Sequence, residues 1–235
     1  MIDTILFDLD GTLLPMDIEV FIKHYFAELA IFCTRFGYEP HQLIEALKKA
    51  TYRMLNHDGT KTNEEVFWNQ WTADLGDKIA QHPLELESFY RNEFIKAKDG
   101  TNLEPLAKEA VDYLKNKGYR LILATNPMFP RIATEQRIIW AGLSVDDFIE
   151  ITTYENYHYT KPNLLYYQEI MDKYNLKPEQ CLMIGNDVEE DLVVEKLGIK
   201  TYLVTDHLID RKDTDLSKQL SGSFKEMFDW IKENL

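Results

Sequence analysis

Ile5-Leu6-Phe7 is an apolar run of the kind a fully buried strand needs, and it ends in Asp8-Leu9-Asp10-Gly11-Thr12-Leu13-Leu14. Two carboxylates one residue apart, directly after a buried strand, are costly unless something pairs with them. A strand that stops at Asp8 carries the following residues over the carboxyl edge of a sheet, where α/β folds place their ligands. A divalent cation between the two acids would offset their repulsion. Asp-Gly is also a common turn pair, so the segment alone is compatible with a strand-ending turn whose acids are solvated.

The rest of the chain decides between these readings. From Pro15 to about Ala97 no strand-like alternation occurs. Ile18, Phe21, Ile22, Tyr25, Phe26 and Leu29 recur at three- and four-residue spacing behind Asp17, a plausible N-cap. Gly37 closes that helix and Pro40 opens a second through Met54; a third begins at Asn63, and a fourth runs from Pro83 through Phe94. From Glu104 the pattern changes to helix–strand alternation. Strands are predicted at Tyr119–Ala124, Phe148–Thr152, Cys181–Ile184 and Thr201–Val204, with helices at 107–117, 131–140, 164–174, 189–197 and 223–235. Such alternation argues a Rossmann-like parallel sheet with helices on both faces. The expected division is an α/β core of residues 1–15 and 99–235, with an all-helical block of 16–98 inserted after the first strand.

Composition narrows the partners. The 235 residues are 45% hydrophobic, enough for a substantial core, so disorder is not a serious reading. A formal charge of −14 argues against binding nucleic acid or an anionic membrane surface, though not against a small anion in a local pocket. Cys33 and Cys181 are far apart and read as core residues. With neither a leader-peptide pattern nor an apolar run of membrane-spanning length, a cytoplasmic enzyme is expected, as monomer or homodimer.

Three further signals fall just after predicted strands. Thr125-Asn126 follows the second strand, where a hydroxyl and backbone amides could hold phosphate oxygens; Thr-Asn-Pro is equally an ordinary turn. Lys161-Pro162 stands extended ahead of a helix, although an isolated lysine is usually a solvated charge. Gly185-Asn186-Asp187-Val188-Glu189-Glu190-Asp191 follows the fourth strand. A helix starting near Val188 would turn Asp187 and Asp191 toward one side, an acidic group suited to Mg²⁺.

Taken in order, Asp8-Leu9-Asp10-Gly11-Thr12-Leu13, Thr125, Lys161-Pro162 and Gly185-Asn186-Asp187 resemble the four motifs of the haloacid dehalogenase superfamily. The helical block lies where that family carries its C1-type cap. The resemblance implies a Mg²⁺-dependent phosphomonoester hydrolase acting on a small phosphorylated metabolite. In it Asp8 is the nucleophile that forms an aspartyl-phosphate, and Asp10 is the general acid and then base. Thr125, Lys161 and the amides near Leu9 and Asn126 hold the phosphate; Asp8, the Asp10 carbonyl and Asp187 hold the metal, with Asn186 and Asp191 as secondary candidates.

Members that cleave carbon–halogen bonds lack an acid two residues after the nucleophile, so Asp10 favours phosphate chemistry. A phosphonatase would need an imine-forming lysine, for which Lys48, Lys49 and Lys61 are present, and a phosphomutase or a non-catalytic binding protein of the same fold stays open. In the helical block, Lys48, Lys49, Arg53 and Asn56 read as a solvated face. Trp68 and Trp71 read as its interior rather than as a platform for a sugar or base. Met128, Phe129 and Arg131 stand near the entrance, as hydrophobic contacts and surface charge or as lining.

Overall fold

All four residues of β1 (Thr4–Phe7) are buried, and the sheet grows outward from it. The computed structural model describes residues 1–235. β2 (Arg120–Leu123), β3 (Glu150–Ile151), β4 (Cys181–Gly185), β5 (Lys200–Val204) and β6 (Ser221–Gly222) join β1 in one parallel sheet ordered β3-β2-β1-β4-β5-β6. Strand residues alternate between faces. Ile5, Phe7, Leu121, Leu123, Leu182 and Ile184 enter one cluster, while Leu6, Ile122 and Met183 enter another. Both faces are therefore covered, as parallel sheets require. Full burial of a side chain such as Phe7 contributes roughly 1.5–3 kcal/mol, and the sum over the central strands holds in place the acids that follow them.

The helices α5 (Pro105–Asn116) and α8 (Phe224–Asn234) contribute Ala107, Val111, Met227 and Ile231 to the first cluster. The helix α7 (Leu164–Tyr174) covers the opposite face with Tyr166, Tyr167 and Ile170. Another helix, α6 (Arg131–Trp140), follows β2. Register fixes the carboxyl edge: Phe7 is level with Leu123 and with Ile184. The residues immediately after these three strands thus leave the sheet at one height.

Between β1 and β2 the chain forms α1 (Ile18–Thr34), α2 (Pro40–Leu55), α3 (Asn63–Leu75) and α4 (Pro83–Asn92). Asp17 caps α1 by accepting from the amides of Glu19 and Val20, both at 3.1 Å. Thr62 and Glu65 form a reciprocal capping box on α3, which starts at Asn63 as expected. No helix is long and apolar enough to cross a membrane. The helices do not stand apart from the sheet. Phe21 and Phe94 pack against Phe129, and Phe94 stacks on Trp140, so one continuous buried cluster runs through both.

Three expectations need correction, and one strand was not expected. The fourth helix ends at Asn92 and tightens into a 3₁₀ segment, Phe94–Gly100, rather than continuing through Phe94. The third strand is two residues long instead of five, although single bonds from Ile149 to Leu121 and from Thr152 to Leu123 extend its pairing. No α-helix spans 189–197. The Asp187 carboxylate takes the Glu189 and Glu190 amides, closing a turn, and only a 3₁₀ segment at Leu192–Leu197 follows. The edge strand β6 went unpredicted because Ser221-Gly222 carries no apolar signal.

Where the chain leaves β1 for the helices and where it returns, the two crossings lie side by side. Asp17 donates its amide to the Gly100 carbonyl at 2.8 Å, Asn102 donates to Pro15 at 2.9 Å, and Met16 pairs with Thr101. A Cβ on Gly100 would stand 2.5 Å from the Phe21 nitrogen and 2.8 Å from its Cα, both backbone atoms that cannot swing aside. Gly100→Ala is expected to cost about 1–3 kcal/mol through overpacking, measured as a fall of several degrees in unfolding temperature.

Candidate active site

The parallel register brings Asp8, Thr125 and Asn186 to the same edge. The Asp8 amide donates to the Ile184 carbonyl at 2.9 Å, and the Ala124 amide donates to the Phe7 carbonyl at 2.7 Å. Both bonds prolong the ladder by one residue and fix where the loops begin. Over this edge lies a cavity of about 540 Å³ lined by Asp8, Asp10, Thr125, Asn126, Asn186, Asp187, Glu190 and Asp191, among others.

Lys161 reaches this edge from the segment before α7. It is 2% exposed, and its Nζ donates to Asp8 Oδ1 at 2.9 Å and to Asp191 Oδ1 at 2.6 Å. Its backbone is tied to the loop after β2, since the Lys161 amide donates to Asn126 Oδ1 at 3.2 Å. Asn126 in turn donates Nδ2 to Glu190 Oε2 at 3.0 Å. Burial alone would depress the ammonium, but Asp191 and Asp8 outweigh it and hold Lys161 well above the usual lysine range. An ammonium this buried and doubly paired is not the solvated charge that an isolated lysine usually is.

Burial pushes Asp8 up to about 8 against the pull of Lys161, with the Asp191 and Asp10 charges adding to the rise. Burial likewise raises Glu190 to about 7, opposed by Lys161. Asp10 is raised by burial and pulled back by Arg137 and Lys161. Burial is the largest cause at all three acids, and it favours their protonated forms.

With Arg211, Arg137 is one of two arginines that sequence reasoning missed. It projects from α6, is 1% exposed, and ion-pairs with Asp10 Oδ2. It also donates to Thr134 Oγ1 at 3.2 Å and lies over the Phe129 ring, 4.5 Å from its centroid. The only local signal is an arginine in Gln136-Arg137-Ile138 of a short helix, which reads as readily as surface charge. Its partner is 127 residues away.

The fourth motif is organised differently from a helix start. Asn186 is spent on structure, with its Nδ2 donating to the His207 carbonyl at 2.6 Å and its Oδ1 accepting from Thr12 Oγ1 at 3.0 Å. Gly11, at φ +87°, passes so close to Asn186 that a Cβ there would fall 2.3 Å from its Nδ2. Asp191 is shared between Lys161 and the Asp187 amide, which donates to its Oδ2 at 3.0 Å. Asp187 accepts the Arg211 guanidinium at 2.9 Å on Oδ1 and 2.8 Å on Oδ2. Arg211 comes from the loop that Ile209 pins beside β4.

The chemistry of the donors is that of a hard cation's ligands, since Asp8, Asp10 and Asp187 line one cavity and Asp10 Oδ1 is buried with no hydrogen-bond partner, although no three acids are drawn together as a ready-made metal site. A cation binding at Asp187 would have to displace or share it with Arg211. Of the other residues singled out in the sequence, Met128 lines the cavity, whereas Arg131 pairs with Glu135 on the surface. Lys48 and Lys49 pair with Glu45 and Asp74, also at the surface.

A family model described as haloacid dehalogenase-like hydrolase matches residues 2–198. Glyceraldehyde 3-phosphate phosphatase of Methanothermobacter thermautotrophicus is 29% identical over 106 residues, 45% of this chain and 46% of that protein. The chain thus spans about half the length of that relative. Pyrophosphatase PpaX of Bacillus cereus is 24% identical over 207 residues, 87% of this chain and 83% of that one. Among solved structures, 2-haloacid dehalogenase of Pseudomonas syringae has a TM-score of 0.66 at 17% identity, covering 99% of both chains. The HAD-hydrolase YfnB of Bacillus subtilis, bound to magnesium, has a TM-score of 0.56 at 17% identity, covering 100% of this chain and 99% of that one. At such identities the structural likeness speaks for the fold, but the family model spans most of the chain, and the protein belongs to the haloacid dehalogenase-like hydrolases.

Proposed function

We propose that this chain is a Mg²⁺-dependent phosphomonoester hydrolase that acts on a small phosphorylated metabolite through an aspartyl-phosphate on Asp8. The observation that carries the reading is the buried Lys161 ammonium held against Asp8 at the floor of an acidic cavity, with a second acid, Asp10, two residues on. Phosphatase relatives in the same family support it. The Asp10 carboxyl also separates the reading from dehalogenation, which needs no acid at that position.

An Asp8 carboxylate oxygen attacks phosphorus in line, the ester P–O bond breaks, and the leaving alkoxide takes a proton from Asp10. Burial raises Asp10 despite Arg137 and Lys161, a shift in the direction of its acid form. Arg137 fixes the direction of this carboxyl. Asp10, now ionised, then takes a proton from the water that attacks the phosphoryl group and frees Asp8. Lys161 neutralises the transferring oxygens, and Thr125 with the amides of Leu9 and Asn126 orients them. Mg²⁺, held by Asp8, the Asp10 carbonyl and Asp187, would supply the positive charge that favours the ionised nucleophile. Residues 16–98 act as a C1-type cap over a core of 1–15 and 99–235, and the paired crossings at Pro15–Asp17 and Gly100–Asn102 join the two.

The first test is hydrolysis of p-nitrophenyl phosphate and a panel of phosphorylated metabolites, with Mg²⁺ or with EDTA. Turnover should require the metal, and Asp8→Asn should lower it by more than about a thousandfold. Metal-independent turnover, or an active Asp8→Asn, would sink the reading.

The pairing at Asp187 gives a second expectation. With the competing guanidinium removed, Arg211→Ala should bind Mg²⁺ more tightly than wild type in calorimetric titration. Equal or weaker binding would mean that Arg211 does not compete with the cation.

Stability should respond oppositely at the two acids. In the unfolded chain Asp8 ionises near 3.8, and in the folded chain near 8. Between those values the unfolded state releases a proton that the folded state keeps, so stability from this group is full below about pH 4 and lost by about pH 8. In EDTA, the unfolding temperature of Asp8→Asn minus that of wild type should therefore grow as the pH rises through this window. Asp10→Asn instead strands the buried Arg137 charge and should cost about 3–5 kcal/mol.

A further inference from the structure

A second cavity, of about 110 Å³, lies between the helical block and the loops after β2 and β3, which contribute Met128, Phe129, Pro130 and Tyr154, and thirteen of its fifteen lining residues are hydrophobic. Well-packed interiors leave few voids larger than a water molecule, whereas an apolar cavity of roughly 150 Å³ can stay dry and bind benzene. The polar groups on the walls are mostly spent on one another. Tyr25 and Tyr90 share a hydroxyl–hydroxyl bond at 3.1 Å, and Trp68 Nε1 donates to the Tyr154 hydroxyl at 3.3 Å. Trp71 also lines the cavity, is 3% exposed, and has an indole N–H with no acceptor. Thr51 is the other polar side chain on the walls.

This cavity abuts the catalytic one. Met128 lines both, and on α1 Ile18 lines the catalytic cavity while Ile22 lines the aromatic one. Those two isoleucines are a single helical turn apart, about 6 Å along the axis.

We propose that the aromatic cavity receives the leaving group, so that the substrate is a phosphate ester of a small alcohol carrying one apolar or aromatic ring rather than a sugar or polyol phosphate. The assignment rests on the phosphatase reading for its chemistry, while the cavity itself can be tested without turnover. The walls supply dispersion contacts and ring–ring packing and offer a polyol few partners for its hydroxyls.

Benzyl alcohol is the probe for binding, and benzyl phosphate against glycerol 3-phosphate, both alkyl esters, is the probe for turnover. Benzyl alcohol should change the tryptophan fluorescence saturably, because Trp68 and Trp71 line the cavity. Ile22→Phe, which fills space there, should weaken this binding at least tenfold, and the volume-conserving Ile22→Leu should retain it. In wild type, kcat/KM for benzyl phosphate should exceed that for glycerol 3-phosphate at least tenfold, and the ratio should fall in Ile22→Phe. Failure of benzyl alcohol to bind would overturn the assignment whatever the esters do. Binding without a preference between the esters would overturn the leaving-group role. If neither ester reacts but benzyl alcohol binds and Ile22→Phe abolishes it, the ring site stands and the phosphatase reading falls.

Discussion

The Lys161 ammonium is the contact on which the arrangement at the sheet edge depends. It joins the end of β1 through Asp8 to the turn after β4 through Asp191, and its own backbone is fastened to the loop after β2 through Asn126. Three strand ends and the approach to α7 thus converge on one cation. Burying such a charge is expensive, and two carboxylates with good hydrogen-bond geometry make it tolerable. The same arrangement leaves Asp8 with an incomplete counter-charge, because its partner is shared. In the proposed role of Asp8 as nucleophile, such an unsettled charge is a common feature of catalytic groups.

Much of this was legible in the sequence for a simple reason. Each of Asp8, Thr125 and Asn186 follows an apolar run closely, and in a parallel sheet the ends of such runs share an edge. Lys161 was legible only through resemblance, since nothing local distinguishes it from a surface charge, whereas Asp187 stood out by its spacing from Asp191. Arg137 and Arg211 were not legible. Their partners, Asp10 and Asp187, lie 127 and 24 residues away, and pairing over such distances is set by how helices and loops settle on the sheet. The expected helix after Asp187 failed because its acids bond to backbone amides and to Lys161 rather than facing solvent from a regular first turn.

Among the helices, periodicity identifies which residues turn inward without saying how they meet. Trp71 is buried as expected and Trp68 only half-buried, and their spacing carries no information about whether such rings touch or leave a space between them. Phe129 links the two regions physically: it packs on Phe21, Tyr25 and Phe94 from the helical block, and the Arg137 guanidinium lies on its face. A shift of those helices would therefore be felt at the arginine that orients Asp10.

The adjacent crossings at Pro15–Asp17 and Gly100–Asn102 have a consequence for how such a chain can diversify. The sheet meets the helical insertion through two strands of backbone already hydrogen-bonded to each other. The number of residues between them is thus decoupled from the spacing of β1 and β2. Insertions and deletions among the helices can change the volume and lining of the space above Asp8 while the register that sets the reacting groups stays as it is.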